Sequence, residues 1–154
     1  MMKKRWIALL MLLSLLLSGC RTGGGQEKAL LPLEDAVGKA VSDREDLIAY
    51  TGEDLSDLTG ILPQDYTEAV FLVGSDTLSG REVIAVRAKD ENALKAAAEA
   101  LKAYLSGRMQ ETRNYLPDAY KLQSEARVET KNLTAALFIG PNAAEETRAF
   151  LTGE

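Results

Sequence analysis

The 154-residue chain has no histidine and a single cysteine, Cys20. Without histidine there is no Ser-His-Asp triad, no Cys-His dyad and no His-based metal site. A lone cysteine excludes an intrachain disulfide, so the folded part must be held by its core. Long apolar runs are missing too. The run Trp6–Leu17 has 12 residues broken only by Ser14, against the roughly 20 a helix needs to cross a bilayer. Positive charge is scarce: 18 Lys+Arg face 23 Asp+Glu, for a net charge of −5. Such a chain is repelled by nucleic acid, and no Lys/Arg cluster interleaved with aromatics offsets that. No nucleic-acid partner is expected. The phosphate-cradling patterns Gly-x-x-x-x-Gly-Lys-Ser/Thr and Gly-x-Gly-x-x-Gly are absent, and no cofactor is expected.

What is present begins at the N-terminus. Lys3, Lys4 and Arg5 precede the apolar run, and Ser18 and Gly19 follow it. A charged start, a short apolar core and small residues before a cut form a secretory signal. Leu17-Ser18-Gly19-Cys20 resembles the lipobox of bacterial lipoprotein signals. That resemblance implies a diacylglyceryl group on the Cys20 thiol, cleavage between Gly19 and Cys20 by a dedicated peptidase, and Cys20 as the first mature residue. The chain then divides into a signal peptide (1–19), a flexible tether (20–31) and a single domain (32–154). The tether carries Gly23-Gly24-Gly25, and a coil of about ten residues reaches roughly 15–20 Å. Loss of Lys3, Lys4 and Arg5 leaves 15 basic against 23 acidic residues, or −8, a charge that keeps a domain soluble beside an acidic membrane. The expected location is the extracytoplasmic face of a bacterial cell membrane, anchored by lipid.

Apolar spacing at Leu33, Val37, Ala40 and Val41 predicts a first helix, opened by Pro32 and running to about Asp43. A connector rich in Asp, Gly and Thr follows, with one short helical turn near Glu53–Thr59. Tyr66–Val73 reads as a strand, with Tyr66, Glu68, Val70 and Leu72 on one face and Thr67, Ala69, Phe71 and Val73 on the other. Glu82–Ala88 is a second strand, and the glycine-flanked polar stretch between them predicts an antiparallel hairpin. Asp90 caps a long helix whose apolar stripe runs through Leu94, Ala97, Ala98, Leu101, Tyr104, Leu105 and Met109, ending near Tyr115. Pro117 opens a short helix to about Ala126. Strands at Val128–Lys131 and Leu133–Ile139 turn at Lys131-Asn132. Asn142 with Glu145 predicts a capping box for a last helix to Leu151, with Ala144, Thr147, Phe150 and Leu151 inward.

The order strand-strand-helix, twice, predicts an α+β fold: a four-stranded antiparallel sheet with helices packed on one face and a leading helix. The lipobox, the Tyr-x-Gly-x-x-Leu connector (Tyr50, Gly52, Leu55), "EVIAVRAKD" before a long helix, and Tyr-x-Pro (Tyr115, Pro117) together resemble a family of small lipoproteins of Gram-positive bacteria. That family has no established activity, so the resemblance implies no catalytic residues.

Two functional readings remain. The first is a non-catalytic domain, tethered to the membrane and acting through a protein or cell-wall partner. Its candidate recognition residues are Tyr50, Tyr66, Tyr115 and Tyr120, all at element edges, since tyrosine is amphipathic and stiff; capping the core is the more ordinary role for the same four. The second is a small hydrolase using carboxylates of the connector, Glu53, Asp54 and Asp57. Helix capping and solvation account for these three as well. Asp76 suits a turn. Asn132-Leu133-Thr134 matches a glycosylation acceptor by chance, and Ser79 with Lys89, or Ser106 with Lys102, has no motif around it. No metal site is expected.

Overall fold

A computed structural model describes residues 30–153; the lipobox, with Gly19 and Cys20, lies outside the described residues. Helix α1 spans Leu33–Ala40, strand β1 Leu47–Ala49 and helix α2 Gly52–Thr59. Strands β2 (Tyr66–Gly74) and β3 (Glu82–Ala88) precede the long helix α3 (Glu91–Thr112) and α4 (Pro117–Glu125). Strands β4 (Val128–Lys131) and β5 (Thr134–Ile139) precede α5 (Ala143–Thr152). The strands form one sheet in the order β1-β2-β3-β5-β4 with every pair antiparallel. The α+β class is as expected, and both hairpins form.

Two features of the expected architecture are corrected. The sheet has five strands, not four. The extra one, β1, is three residues inside the acidic connector, too short to show alternation, and it is recruited by pairing Leu47–Ala49 with Gly74–Leu72. The helices also cover both faces of the sheet, not one. Helices α1 and α5 lie on one side with Leu33, Val37, Val83, Ala85 and Phe138, while α2, α3 and α4 lie on the other with Leu55, Phe71, Ile84, Leu101 and Leu137. The cause is legible in β3, where Val83, Ile84, Ala85 and Val86 are each 0% exposed. A strand apolar on successive residues is buried on both faces, so each face needs a cover. Every fully buried Val, Leu, Ile or Phe contributes about 1.5–3 kcal/mol relative to exposure, and these layers are what replaces a disulfide.

Local signals set the elements. The Asp90 carboxylate accepts from the Ala93 N–H at 2.8 Å, which fixes the start of α3. Thr51 and Asp54 form a reciprocal capping box at α2. The box expected at Asn142 does not form. Asn142 Nδ2 instead donates to Ser42 Oγ at 3.3 Å, and α5 turns Glu146 inward while Ala144 is exposed. A bulge between Tyr66 and Glu68 moves Tyr66 off the face of Val70, where strict alternation puts it, and packs it with the α3-side core.

Candidate functional site

Side chains along β3 alternate between the two helix layers, and at its N-terminal end this places charge on both. Glu82 follows Ile84 and Val86 toward α3 and is 1% exposed. Its Oε2 accepts from the Tyr104 hydroxyl at 2.6 Å, and its Oε1 accepts from Arg108 Nε at 2.9 Å. Tyr104 and Arg108 are four apart on α3, which stacks them on one helix face and lets both reach one carboxylate. Arg108 Nη1 continues to Glu111 Oε2 at 2.7 Å.

Burial first, then the negative charge of Glu82 and the hydrogen bond to it, push the Tyr104 phenol well above its ordinary pKa. The hydroxyl is therefore a proton-bearing donor. Burial works against the Arg108 charge, but the pair and hydrogen bond with Glu82, joined by Glu111, outweigh it and raise its pKa.

A cleft of about 510 Å³ opens over this network. Its floor is aromatic: Phe71 stands edge-on to Tyr50, ring centroids 5.1 Å apart at 63°, and to Tyr104, 6.3 Å apart at 87°. Leu58 of α2 and Ala103 and Gly107 of α3 form its walls, with Glu111 at the rim. Tyr50 and Leu58 are 40% and 51% exposed, and beyond the local backbone of α3 no atom lies within 4 Å of where a Cβ on Gly107 would stand. The cleft is therefore an accessible hollow with an aromatic floor and a charged side. A second hollow of about 480 Å³ near Asp76, Ser79 and Arg81 carries no aromatic lining.

Of the four candidate tyrosines, only Tyr50 lines the cleft. Tyr66 is half-buried in packing, Tyr115 is 83% exposed beyond the end of α3, and Tyr120 sits on α4. The three acids of the connector lie on α2. Asp54 accepts from the Thr51 hydroxyl and backbone N–H, both at 2.7 Å, and these bonds hold its carboxyl below the usual carboxylate range. Glu53 and Asp57 are exposed. Asp76 caps its own turn by accepting from the Leu78 N–H. Ser79 bonds the Asp76 carbonyl while Lys89 pairs with Asp65; Lys102 pairs with Glu99. Asn132 takes the positive φ of the β4–β5 turn.

Sequence reasoning missed Glu82, Arg108 and Glu111, and it placed Tyr104 in the core. A signal existed. Glu82 shares the face of Ile84 and Val86, and Arg108 lies one turn beyond Tyr104 on an apolar stripe, so a buried acid and its base were facing each other. Two carboxylates, Glu82 and Glu111, do converge on the cleft, bridged by Arg108. Both oxygens of Glu82 are bonded, one to Tyr104 and one to Arg108, so the group fastens β3 to α3. Among the described residues no group of three or more His, Cys, Asp or Glu could hold a metal ion, and no helix is long and apolar enough to cross a membrane.

The class of protein so defined is a three-layer α+β domain with an aromatic cleft beside a buried Glu-Tyr-Arg network. The family model for a domain of unknown function, DUF4358, matches residues 40–140, and the chain belongs to that family. The matched span contains every residue that lines the cleft and leaves out α5 and nearly all of α1. No curated protein and no solved structure matches the chain.

Proposed function

We propose that the chain is a non-catalytic recognition domain, held by lipid on Cys20 at the extracytoplasmic face of a bacterial membrane, with the aromatic cleft as its contact site. The observation that carries the reading is an open aromatic cleft over a carboxylate engaged in an internal network. The acid beneath the hollow is spent on Tyr104 and Arg108, while the apolar side chains at the mouth, Tyr50 and Leu58, are offered to solvent. Exposed aromatic and aliphatic surface of this kind favours contact over chemistry. The hydrolase reading is weaker, because Asp54 is committed to capping α2. The membrane part rests on Lys3–Cys20, whose pattern is that of a lipoprotein signal.

Two measurements test the proposal. Cys20→Ala should leave an uncleaved precursor or release the protein from the membrane fraction; normal processing with detergent-dependent extraction would overturn the anchor. A photo-crosslinking residue at position 58, in intact cells, should give a discrete crosslinked species. That species should disappear when Gly107→Leu fills the cleft, and a blank crosslink would overturn the contact site.

A further inference from the structure

The edge of the sheet next to the cleft is open. Tyr50 N–H donates to the Phe71 carbonyl at 2.7 Å and the Asp46 carbonyl accepts from Ser75 N–H at 2.8 Å. Residues 46, 48 and 50 therefore turn their peptide groups to β2, and those of Leu47 and Ala49 point away from the sheet. Among the described residues no strand pairs on that side. Ile48, whose partner across the sheet is Val73, is 52% exposed. An unpaired edge beside an aromatic-floored hollow is the template for strand addition.

Charge says what kind of strand. From Asp43 to Asp65 the chain has seven acidic residues and one basic residue. That one, Arg44, is paired with Glu34. Within the cleft, Glu82 and Glu111 stand against Arg108 alone, and Glu111, 66% exposed, forms the rim. Tyr50 presents a ring that a cation can approach and an aliphatic stem can cover.

We propose that the cleft and the β1 edge receive an extended basic segment of a partner protein. The segment pairs with Leu47 and Ala49 and lays a Lys or Arg stem over Tyr50 and Leu58, with its charge directed to Glu111. An anionic membrane is disfavoured by the same acidity. This inference rests on the cleft being the contact site.

The probe is a fluorescein-labelled octapeptide alternating lysine and valine, titrated by fluorescence polarisation into the full chain in non-ionic detergent. It should bind at least about tenfold more tightly than the same peptide with glutamate for lysine. Tyr50→Ala and Gly107→Leu should each weaken it by about tenfold while still unfolding in a cooperative thermal melt, and Glu111→Gln by about threefold. Equal binding of the glutamate peptide would overturn the proposal. So would displacement by spermidine at matching concentration, which would mark the site as one for small cations. So too would a dimer, seen by sedimentation, that Gly107→Leu dissolves, because the occupant would then be a second copy. If the peptide fails while the position-58 crosslink persists in cells, this inference falls and the contact site stands. If both are blank, both fall.

Discussion

Arg81 and Glu82 are neighbours in sequence, and each begins an ion pair on an opposite face of the sheet. On the α5 side, Glu146 is 3% exposed and accepts from Ser42 N–H at 3.0 Å, Ser42 Oγ at 2.7 Å and Arg81 Nη2 at 3.2 Å. Arg81 also bonds the carbonyls of Ser42 and Asp43, so it ties α5 and β3 to the connector. On the α3 side, Glu82 has a phenol and a guanidinium, and a cleft lies above them. The arginines differ accordingly, with side chains 12% exposed for Arg81 and 29% for Arg108. Both faces use a buried carboxylate as a fastening, but one is enclosed by its own backbone and the other is left beside open space. The same chemistry is structural on one side and sits under a binding surface on the other.

The sharpest way to break this comparison is to remove each arginine in turn. Arg81→Met leaves Glu146 its two Ser42 bonds but takes the cation from an enclosed carboxylate and the donor from two carbonyls, and should cost about 3–5 kcal/mol in denaturant unfolding. Arg108→Met leaves Glu82 its Tyr104 bond and lets cleft water approach, so the loss should be about 2–3 kcal/mol. Equal losses would show that the two faces are equally enclosed.

Tyr104→Phe should be next in size, since it removes one hydrogen bond to a charged acceptor, worth about 1.5–3 kcal/mol. It also carries a pH signature. The phenol pKa is raised in the native state from its ordinary 10.0, chiefly by burial and Glu82. Above pH 10 the folded protein thus keeps a proton that the unfolded chain has lost. Stability should be independent of this group below pH 10 and fall as pH rises beyond it, by about 1.4 kcal/mol per unit. The Tyr104→Phe variant should lose that slope; an identical alkaline profile in the two proteins would place Tyr104 in water.

How much of this was legible in the sequence depends on how far a signal reaches. The stripe Leu94–Leu101 and the two hairpins were readable because period 3.6 and period 2 are local patterns. Strand β1 was not, because three residues carry no period and form a strand only once Leu72–Gly74 are there to pair with. The two-sided cover was present in "VIAV" and "TAALFI" as runs without alternation, and reading them as half-buried strands put all the helices on one face. The site failed for a similar reason. Tyr50 was recognisable as an edge aromatic, whereas Glu82 and Arg108 are 26 positions apart and each alone reads as a surface charge.

The smallest effect reverses sign and bears on why the α3 face stays open. Glycine within a helix costs about 0.5–1 kcal/mol relative to alanine. Gly107 lies in α3 with nothing beyond the local backbone of that helix within 4 Å of its missing Cβ, so Gly107→Ala should stabilise the fold by about that amount in thermal or chemical melts. On the other face, a Cβ at Gly38 would stand 2.6 Å from Arg44 Nη1. That guanidinium is the partner of Glu34, and displacing it should cancel the helical gain, leaving Gly38→Ala near neutral. A glycine that costs stability where space is free, on the wall of an aromatic hollow, is accounted for if the hollow must stay wide enough to be filled from outside. Gly107→Ala should then raise the melting temperature while weakening the lysine–valine peptide, and Gly38→Ala should do neither. A stabilised Gly107→Ala protein with undiminished binding would separate the glycine from the cleft and leave its helical cost without a purpose.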